Sequence, residues 1–66
     1  MSTLGDNLRA ARKVRRLTQY QAADLSHVSQ SNISYYETGK SSPSIAVLRR
    51  LAAAYGVSVA RLVRAV

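Results

Sequence analysis

The stretch from Gln19 to Gly39, QYQAADLSHVSQSNISYYETG, predicts two short helices joined by a tight turn. Thr18 precedes the stretch and Gln21 follows three residues after that threonine, which is the pattern of a capping box at the start of a helix. Ser29 caps the second helix, and Gly39 ends it because glycine adopts the left-handed backbone conformation most easily. Because the turn is so short, the two helices must cross steeply, as they do in a helix-turn-helix unit.

The outer face of the second predicted helix is polar but carries no formal charge. Ile33 and Tyr36 point inward at helical spacing, and Val28 in the turn can fill the angle between the helices. The outward residues at the same spacing are Gln30, Ser31, Ser34, Tyr35 and Thr38. A face that only meets water usually carries Lys and Glu, whereas amides and hydroxyls suit the reading of base edges in a major groove.

Short motifs along most of the chain resemble one family. They are Leu17-Thr18-Gln19, Ala23, Val28-Ser29-Gln30-Ser31, Ile33-Ser34, Glu37-x-Gly39-Lys40, Pro43-Ser44, Leu48, Leu51-Ala52 and Gly56-Val57-Ser58. Their order and spacing, between Leu4 and about Val63, make the chain similar to the Cro and phage-repressor type of helix-turn-helix protein, the xenobiotic-response-element group. The resemblance implies an all-α fold, a compact five-helix lambda-repressor-like domain that binds DNA.

The composition is that of a small basic protein. Ten Lys and Arg residues and three Asp and Glu residues give a net charge of +7 on 66 residues. Such a charge either favours a polyanionic partner or only keeps the protein soluble. We expect double-stranded DNA as the partner. The length predicts a single helix-turn-helix domain over residues 1–66, with the motif at about 19–39.

Several other classes of protein are not expected. The chain has no cysteine, so it has no disulfide and no cysteine-based zinc site, and we expect neither a metal nor another cofactor. One histidine and three scattered acids offer no catalytic pair, so we do not expect an enzyme. No signal peptide is visible, and no apolar run approaches the roughly 18 residues of a membrane span, so a cytoplasmic protein without membrane contact is the default.

Three further helices are predicted around the central two. The first runs from Leu4 to Arg16 behind a cap at Thr3. The fourth runs from Ile45 to Tyr55 behind a cap at Ser44, and a last short helix follows Ser58. Together with the central pair they give five helices and no sheet.

The basic residues of the first helix fall into two groups. Arg9, Lys13 and Arg16 lie together away from the apolar stripe. They form either a solvated basic face or a source of long-range attraction for DNA without a defined contact. Arg12 lies beside the apolar stripe. The resemblance implies that Arg12 forms a structural ion pair with Glu37, whose carboxylate near the C-terminal end of a helix needs a cation.

Two positions depart from the family pattern. His27 stands at the turn where the family usually has glycine, and we expect a positive φ, which histidine tolerates moderately well. A ligand-binding or pH-sensing role is the alternative for His27. Ala22 stands where a larger aliphatic residue is usual, and we expect Leu25 to compensate from the neighbouring core position.

The resemblance implies that the helix from Gln30 to Thr38 enters the major groove. Gln30 is the expected base reader because a glutamine amide can form two hydrogen bonds with N6 and N7 of adenine. The other base-facing positions are Ser31, Ser34 and Tyr35. Gln19 is expected to offer its backbone N–H to a phosphate, and its side chain could brace Gln30. The candidates for contacts with the DNA backbone are Thr18, Gln19, Asn32, Thr38 and Lys40.

We expect a transcriptional regulator or repressor that binds a pseudo-palindromic operator as a homodimer, formed mainly on DNA. The apolar side chains at the end of the chain exceed what a small core can hide; they are Val57, Val59, Leu62, Val63 and Val66. If Val59, Leu62 and Val63 cap the core, Val57 and Val66 are the interface candidates. The alternative function is a protein-interaction module, such as an antitoxin or a controller protein of the same fold. RNA binding is a third possibility, although no aromatic platform for single-stranded bases is visible.

Overall fold

The computed structural model describes residues 3–64 as an arrangement of five helices. The helices are α1 (Leu4–Val14), α2 (Gln19–Ser26), α3 (Gln30–Thr38), α4 (Ile45–Tyr55) and α5 (Val59–Val63). No strand occurs within residues 3–64. The all-α, five-helix prediction is therefore confirmed, whereas Val66, one of the two predicted interface residues, lies outside the described residues.

Every helix begins at a hydroxyl cap. Thr3 and Thr18 each form a complete capping box, with Asp6 and Gln21 respectively. The serine caps of the other three helices are Ser29, Ser44 and Ser58. Each cap satisfies a backbone N–H of the first turn that has no partner within the helix. The predicted helix starts are confirmed. They could be predicted because these bonds are local and need no tertiary contact.

The C-terminal end of α1 differs from the prediction. The helix ends at Val14, two residues before the predicted end at Arg16. Arg16 has a φ of 57°, in the left-handed region, and the N–H of Leu17 donates to the carbonyl of Arg12 at 3.2 Å. This is the closure that a glycine usually provides. The prediction missed it because arginine is a good helix former and no glycine marks the turn.

The core lies between the inner faces of the helices. Its buried apolar residues are Leu8, Ala22, Val28, Ile33, Leu48, Leu51, Ala52, Tyr55 and Leu62. α1 packs against α3, α4 and α5, while α2 packs against α3 and α4. This packing leaves the outer face of α3 in contact with solvent. Within residues 3–64, no helix has the length and apolar character that crossing a membrane requires.

The packing of α2 corrects the expectation for Leu25. Ala22 is completely buried and Ser26 is 3% exposed, whereas Leu25 is 57% exposed. The line through Ala22 and Ser26 faces the core, and because helical residues turn by about 100° each, Leu25 falls to one side of that line. The Ser26 hydroxyl donates to the carbonyl of Ala22 at 2.7 Å and accepts the N–H of Val28 at 3.3 Å. The small side chains of Ala22 and Ser26 therefore let α2 pack closely against the core. No gap is left between α2 and the core for a leucine to fill.

α1 and α3 meet almost backbone to backbone at Gly5. A Cβ atom on Gly5 would lie 2.6 Å from the carbonyl oxygen of Tyr36 and 2.7 Å from that of Glu37. This contact was not predicted from the sequence. The available signal was a glycine in the first turn of a helix, where glycine is one of the least favourable residues. The contact sets the distance between α1 and the C-terminal end of α3.

Asn7 ties the last helix to the first. Its Nδ2 donates to the carbonyls of Leu62 and Arg64, at 2.8 Å each. Carbonyls at the end of a helix have no partner within the helix, so Asn7 secures a segment that would be marginal alone. Leu62 is buried and Val59 is partly buried, but Val63 is 53% exposed. Val63 therefore does not cap the core, even though its spacing from Val59 and Leu62 would place all three side chains on one helical face.

Candidate nucleic-acid interface

The outer face of α3 combines polar groups and one aromatic ring and has no charge. Along this face Ser31, Tyr35 and Thr38 are exposed, while Gln30 and Ser34 are partly buried. Asn32 is also exposed, to one side of the face. All four predicted base-reading residues therefore share one helical face with Thr38, and the predicted backbone-contact residue Asn32 borders it. Amide, hydroxyl and aromatic groups on such a surface can form hydrogen bonds and apolar contacts with base edges.

A chain of polar side chains connects Gln30 to the protein interior. Nε of Arg12 lies 2.7 Å from Oε2 of Glu37, and Nη2 lies 3.0 Å from Oε1, so the ion pair is bidentate. The two side chains are only 10% and 4% exposed. Nε2 of Gln19 donates to Oε1 of Glu37 at 3.1 Å, and Oε1 of Gln19 accepts from Nε2 of Gln30 at 2.7 Å. We call these four residues the brace.

The ion pair at the base of the brace also fixes the relative positions of three helices. The hydrogen bonds from Arg12 to Glu37 raise the pKa of Arg12 above its ordinary value, although burial acts to lower it. Nη1 of Arg12 also donates to the carbonyl of Leu17 at 2.8 Å. One guanidinium therefore joins α1, the entry to α2 and the C-terminal end of α3. Removing one partner of such a buried pair leaves an uncompensated charge.

The brace determines which way the Gln30 amide faces. A carboxylate only accepts hydrogen bonds, so Gln19 must direct its NH2 group to Glu37 and its oxygen to Gln30. Gln30 then uses one N–H on Gln19 and keeps its second N–H and its oxygen. A donor next to an acceptor is the pattern that matches N7 and N6 of adenine.

Two parts of the brace were predicted from the sequence, but the bond that joins them was not. The structure contains both the ion pair of Arg12 with Glu37 and the hydrogen bond between Gln19 and Gln30. The bond from Gln19 to Glu37 depends on how closely the start of α2 approaches the end of α3. No local sequence pattern gives that distance.

The residues that flank the reading face differ in the donors they still have. The Thr18 hydroxyl accepts a backbone N–H as a helix cap and keeps its own O–H. The Thr38 hydroxyl donates to the carbonyl of Ser34 at 3.0 Å, so its only donor is already used. Nζ of Lys40 lies 5.9 Å from the centroid of the Tyr35 ring, a cation–π distance. Lys40 is thus a better candidate for a phosphate contact than Thr38.

An unpaired hydroxyl lies close to the ion pair. Tyr55 is 2% exposed, and its hydroxyl has no hydrogen-bond partner within the part of the chain that the structure describes. The pKa of Tyr55 is raised to about 12, chiefly by burial and also by the charge of Glu37, while the charge of Arg12 acts in the opposite direction. A buried polar group without a partner destabilises the folded state.

His27 occupies the left-handed turn between α2 and α3. Its φ is 57° and its ψ is 34°, and its N–H donates to the carbonyl of Ala23 at 2.9 Å. The predicted positive φ is confirmed. Among residues 3–64, no group of three His, Cys, Asp or Glu residues could hold a metal ion. The backbone geometry alone accounts for the turn role of His27.

The two crossed helices and the exposed face of the second define a helix-turn-helix protein. The family model described as "Helix-turn-helix domain" matches residues 3–65, which is nearly the whole chain. The chain belongs to this family.

Two repressors and one protein of known structure are among the proteins to which the chain is similar. It is 36% identical over 61 residues to the immunity repressor protein of Bacillus phage phi105, covering 92% of this chain and 42% of that protein. It is 44% identical over 59 residues to the competence pilus inhibition repressor of Acinetobacter baylyi, covering 89% of this chain and 54% of that protein. The chain therefore spans about half the length of these repressors. The crystal structure of the restriction-modification controller protein C.AhdI from Aeromonas hydrophila matches with a TM-score of 0.86 over 89% of both chains, at 29% identity.

Proposed function

We propose that this chain binds double-stranded DNA sequence-specifically, with α3 in the major groove, and that it acts as a transcriptional repressor. The observation that carries the proposal is the orientation of Gln30, which is held through Gln19 to a buried ion pair. A side chain held in one orientation before binding loses little freedom on binding and can discriminate between bases. The net charge of +7 and the two repressors among the relatives support the same function.

In this proposal, α3 supplies the base contacts. Gln30 donates its free N–H to N7 of an adenine and accepts from N6 with its oxygen. Ser31 and Ser34 form hydrogen bonds with neighbouring base edges. Tyr35 packs its ring on a thymine methyl group, steadied by the Lys40 ammonium near its face.

Contacts with the DNA backbone flank these base contacts. Gln19, the first residue of α2, offers its backbone N–H to a phosphate, because the first N–H groups of a helix have no internal partner. The further backbone contacts in this proposal are those of Thr18, Asn32 and Lys40. Thr38 is the weakest of the predicted candidates, because its hydroxyl already donates to the carbonyl of Ser34. Such contacts position the protein on the duplex and supply most of the salt-dependent affinity.

The proposed function is tested by selecting bound sequences from a pool of random duplexes and measuring their affinity over a salt series. A DNA-binding domain should enrich a defined site and should bind less tightly as salt rises. A module that only binds another protein, such as an antitoxin without a DNA site, should show little duplex affinity at any salt concentration. Failure to enrich any sequence, with no salt-dependent binding, would contradict the proposal.

We further propose that the domain works as a homodimer on a pseudo-palindrome, formed mainly on DNA. A domain of 28 × 23 × 21 Å presents one reading helix, so a second copy doubles the base contacts. A two-fold partner would hold the two reading helices about 34 Å apart, one turn of DNA. The proposed interface lies around the turn after α4, with Val57 and the exposed Val63. Val66 belongs to the same proposal.

The dimer is tested by changing the spacing of the half-sites. An insertion of about five base pairs, half a DNA turn, should abolish cooperative binding because it rotates one half-site to the opposite side of the duplex. Val57→Asp should reduce cooperativity and leave half-site binding intact. Val57 also packs on the core, so Val63→Asp, at a side chain that is 53% exposed, is the matched change with less risk to the fold. Unchanged binding after the insertion would contradict the dimer.

A further inference from the structure

Two of the helix-ending turns adopt a conformation that their residues disfavour. Left-handed residues close α1, α2, α3 and α4, and the last two are glycines, Gly39 and Gly56. Arg16 and His27 occupy the other two, each with a φ of 57°. A side chain with a Cβ atom is strained there, and glycine would not be. Strained residues of this kind cluster at functional sites, so each of the two calls for a physical reason.

The charge around Arg16 adds a second cost in the free protein. Four cations occur within five consecutive positions, namely Arg12, Lys13, Arg15 and Arg16. Within residues 3–64, only Arg12 has a carboxylate within 4.0 Å. A Cβ atom on Gly56 would lie 2.8 Å from Nη1 of Arg15, so the Arg15 guanidinium lies at the C-terminal end of α4, where the helix dipole favours a cation. Arg16 is exposed beside these like charges.

The backbone around Arg16 is held firmly next to the proposed DNA-binding surface. The N–H of Arg16 donates to the carbonyl of Lys13 at 2.9 Å, and Arg12 holds the carbonyl of Leu17 at 2.8 Å. Arg16 lies three residues before Gln19, the partner of Gln30. Three residues span at most about 11 Å, so the Cα atom of Arg16 lies within that distance of the first residue of α2.

We propose that Arg16 binds a DNA backbone phosphate next to the one at the N-terminus of α2, an inference that rests on the proposed function. A phosphate would neutralise the excess positive charge at the end of α1. The planar guanidinium can bind two phosphate oxygens at once, which a lysine ammonium cannot do in the same geometry. The left-handed turn is then the backbone geometry from which Arg16 reaches the phosphate.

The test compares three variants with the wild type on a duplex selected from the random pool. Arg16→Gly removes the charge and relieves the backbone, so folding should be retained or improved while binding weakens. The slope of log affinity against log salt should fall by about 0.9, one phosphate contact. Between 50 and 200 mM salt, the wild type should lose about 3.5-fold more affinity than the variant.

Two controls separate a phosphate contact from other effects. Arg15→Ala removes the same charge one residue away, from a guanidinium directed to Gly56, and should change the salt slope by much less. His27→Gly relieves the same backbone conformation and should leave the salt slope unchanged. Thermal melts of all variants confirm that they are folded.

The outcomes distinguish this inference from the proposed function. If the wild type binds no duplex at low salt, the proposed function fails and the Arg16 contact fails with it. If the wild type binds but Arg16→Gly keeps the wild-type slope, only the Arg16 contact is overturned. An equal loss of slope in Arg15→Ala and Arg16→Gly would also overturn it, because net charge alone would then explain both.

Discussion

The two halves of the molecule are stabilised by different kinds of interaction. In the half formed by α1, α2 and α3, a bidentate ion pair and two amide hydrogen bonds run from Arg12 to Gln30. In the half formed by α4 and α5, the buried side chains are apolar apart from one tyrosine hydroxyl. The hydroxyl of that residue, Tyr55, is left without a hydrogen-bond partner within residues 3–64.

The two kinds of interaction have different consequences: one closes the core, and the other orients a surface side chain. Apolar burial is non-directional, so it closes a core without fixing how any surface group faces. Hydrogen bonds require defined angles, so they fix the orientation of a side chain such as Gln30. Changes in the brace should therefore affect both stability and DNA recognition, whereas changes around Tyr55 should affect stability alone.

The largest expected effect comes from the ion pair. Arg12→Ala should lower the free energy of unfolding by about 3–5 kcal/mol, because it leaves the Glu37 carboxylate buried without a cation. Lys13→Ala, which removes the neighbouring exposed cation, should change it by less than about 0.5 kcal/mol. Urea unfolding followed by circular dichroism measures both variants. Equal stability of the two would mean that the pair contributes nothing to the fold.

The contact between α1 and α3 gives the next effect. Gly5→Ala should destabilise the domain by about 1–3 kcal/mol, because the new methyl group meets two backbone carbonyls that cannot move independently. At Gly39, with a φ of 79° and open space around it, alanine should cost only the backbone strain, about 1 kcal/mol. Thermal melts compare the two glycine variants, and a neutral Gly5→Ala would refute the close approach of α1 to α3.

The unpaired hydroxyl in the apolar half gives an effect of opposite sign. Tyr55→Phe should stabilise the domain by about 1 kcal/mol near neutral pH, because it removes a buried polar group without a partner. It should leave the preferred DNA sequence unchanged.

The same variant should also change the alkaline stability of the protein. The pKa of Tyr55 is about 12 in the folded state and about 10 when unperturbed. The unfolded state therefore releases this proton first, and wild-type stability should fall between about pH 10 and 12. The fall should be less steep in Tyr55→Phe. Identical alkaline unfolding curves for the two proteins would contradict the raised pKa.

The smallest effect is expected at the turn between α2 and α3. His27→Gly should leave stability unchanged or raise it by up to about 1 kcal/mol, because glycine accepts a φ of 57° without strain. Differential scanning calorimetry resolves a shift of this size. A clear loss of stability would show that the imidazole makes stabilising contacts beyond the backbone geometry.

The sequence predicted the features that depend on neighbouring residues. At each helix start, a hydroxyl accepts the backbone N–H of the residue three positions later. The caps at Thr18, Ser29 and Ser44 could therefore be located from the sequence alone. Gly39 and Gly56 likewise marked two helix ends. The predicted end of α1 was wrong because Arg16 adopts the left-handed conformation that a glycine usually adopts at a helix end.

The features that the sequence did not predict depend on distances between helices. Gly5, Asn7 and the bond from Gln19 to Glu37 all join elements that are far apart in the chain. The prediction that Leu25 fills the core beside Ala22 was wrong for the same reason. Whether a leucine has room there depends on how closely α2 approaches the neighbouring helices. A hydrophobic pattern defines a face, but it does not give the separation between two faces.

A double-mutant cycle measures whether Gln30 reads a base in the orientation that the brace sets. The cycle measures the affinity of wild type, Gln19→Ala, Gln30→Ala and the double variant for the selected duplex. Gln19→Ala keeps the backbone N–H at the start of α2, so it removes only the side-chain support. Thermal melts show whether the variants remain folded.

We expect Gln30→Ala to cost about 1–3 kcal/mol of binding free energy and to relax the preference at one base pair. Gln19→Ala should weaken the same preference, and the double variant should cost less than the sum of the single changes by at least about 0.5 kcal/mol. Additive costs, or an unchanged base preference in Gln30→Ala, would show that the brace does not orient Gln30 for base reading.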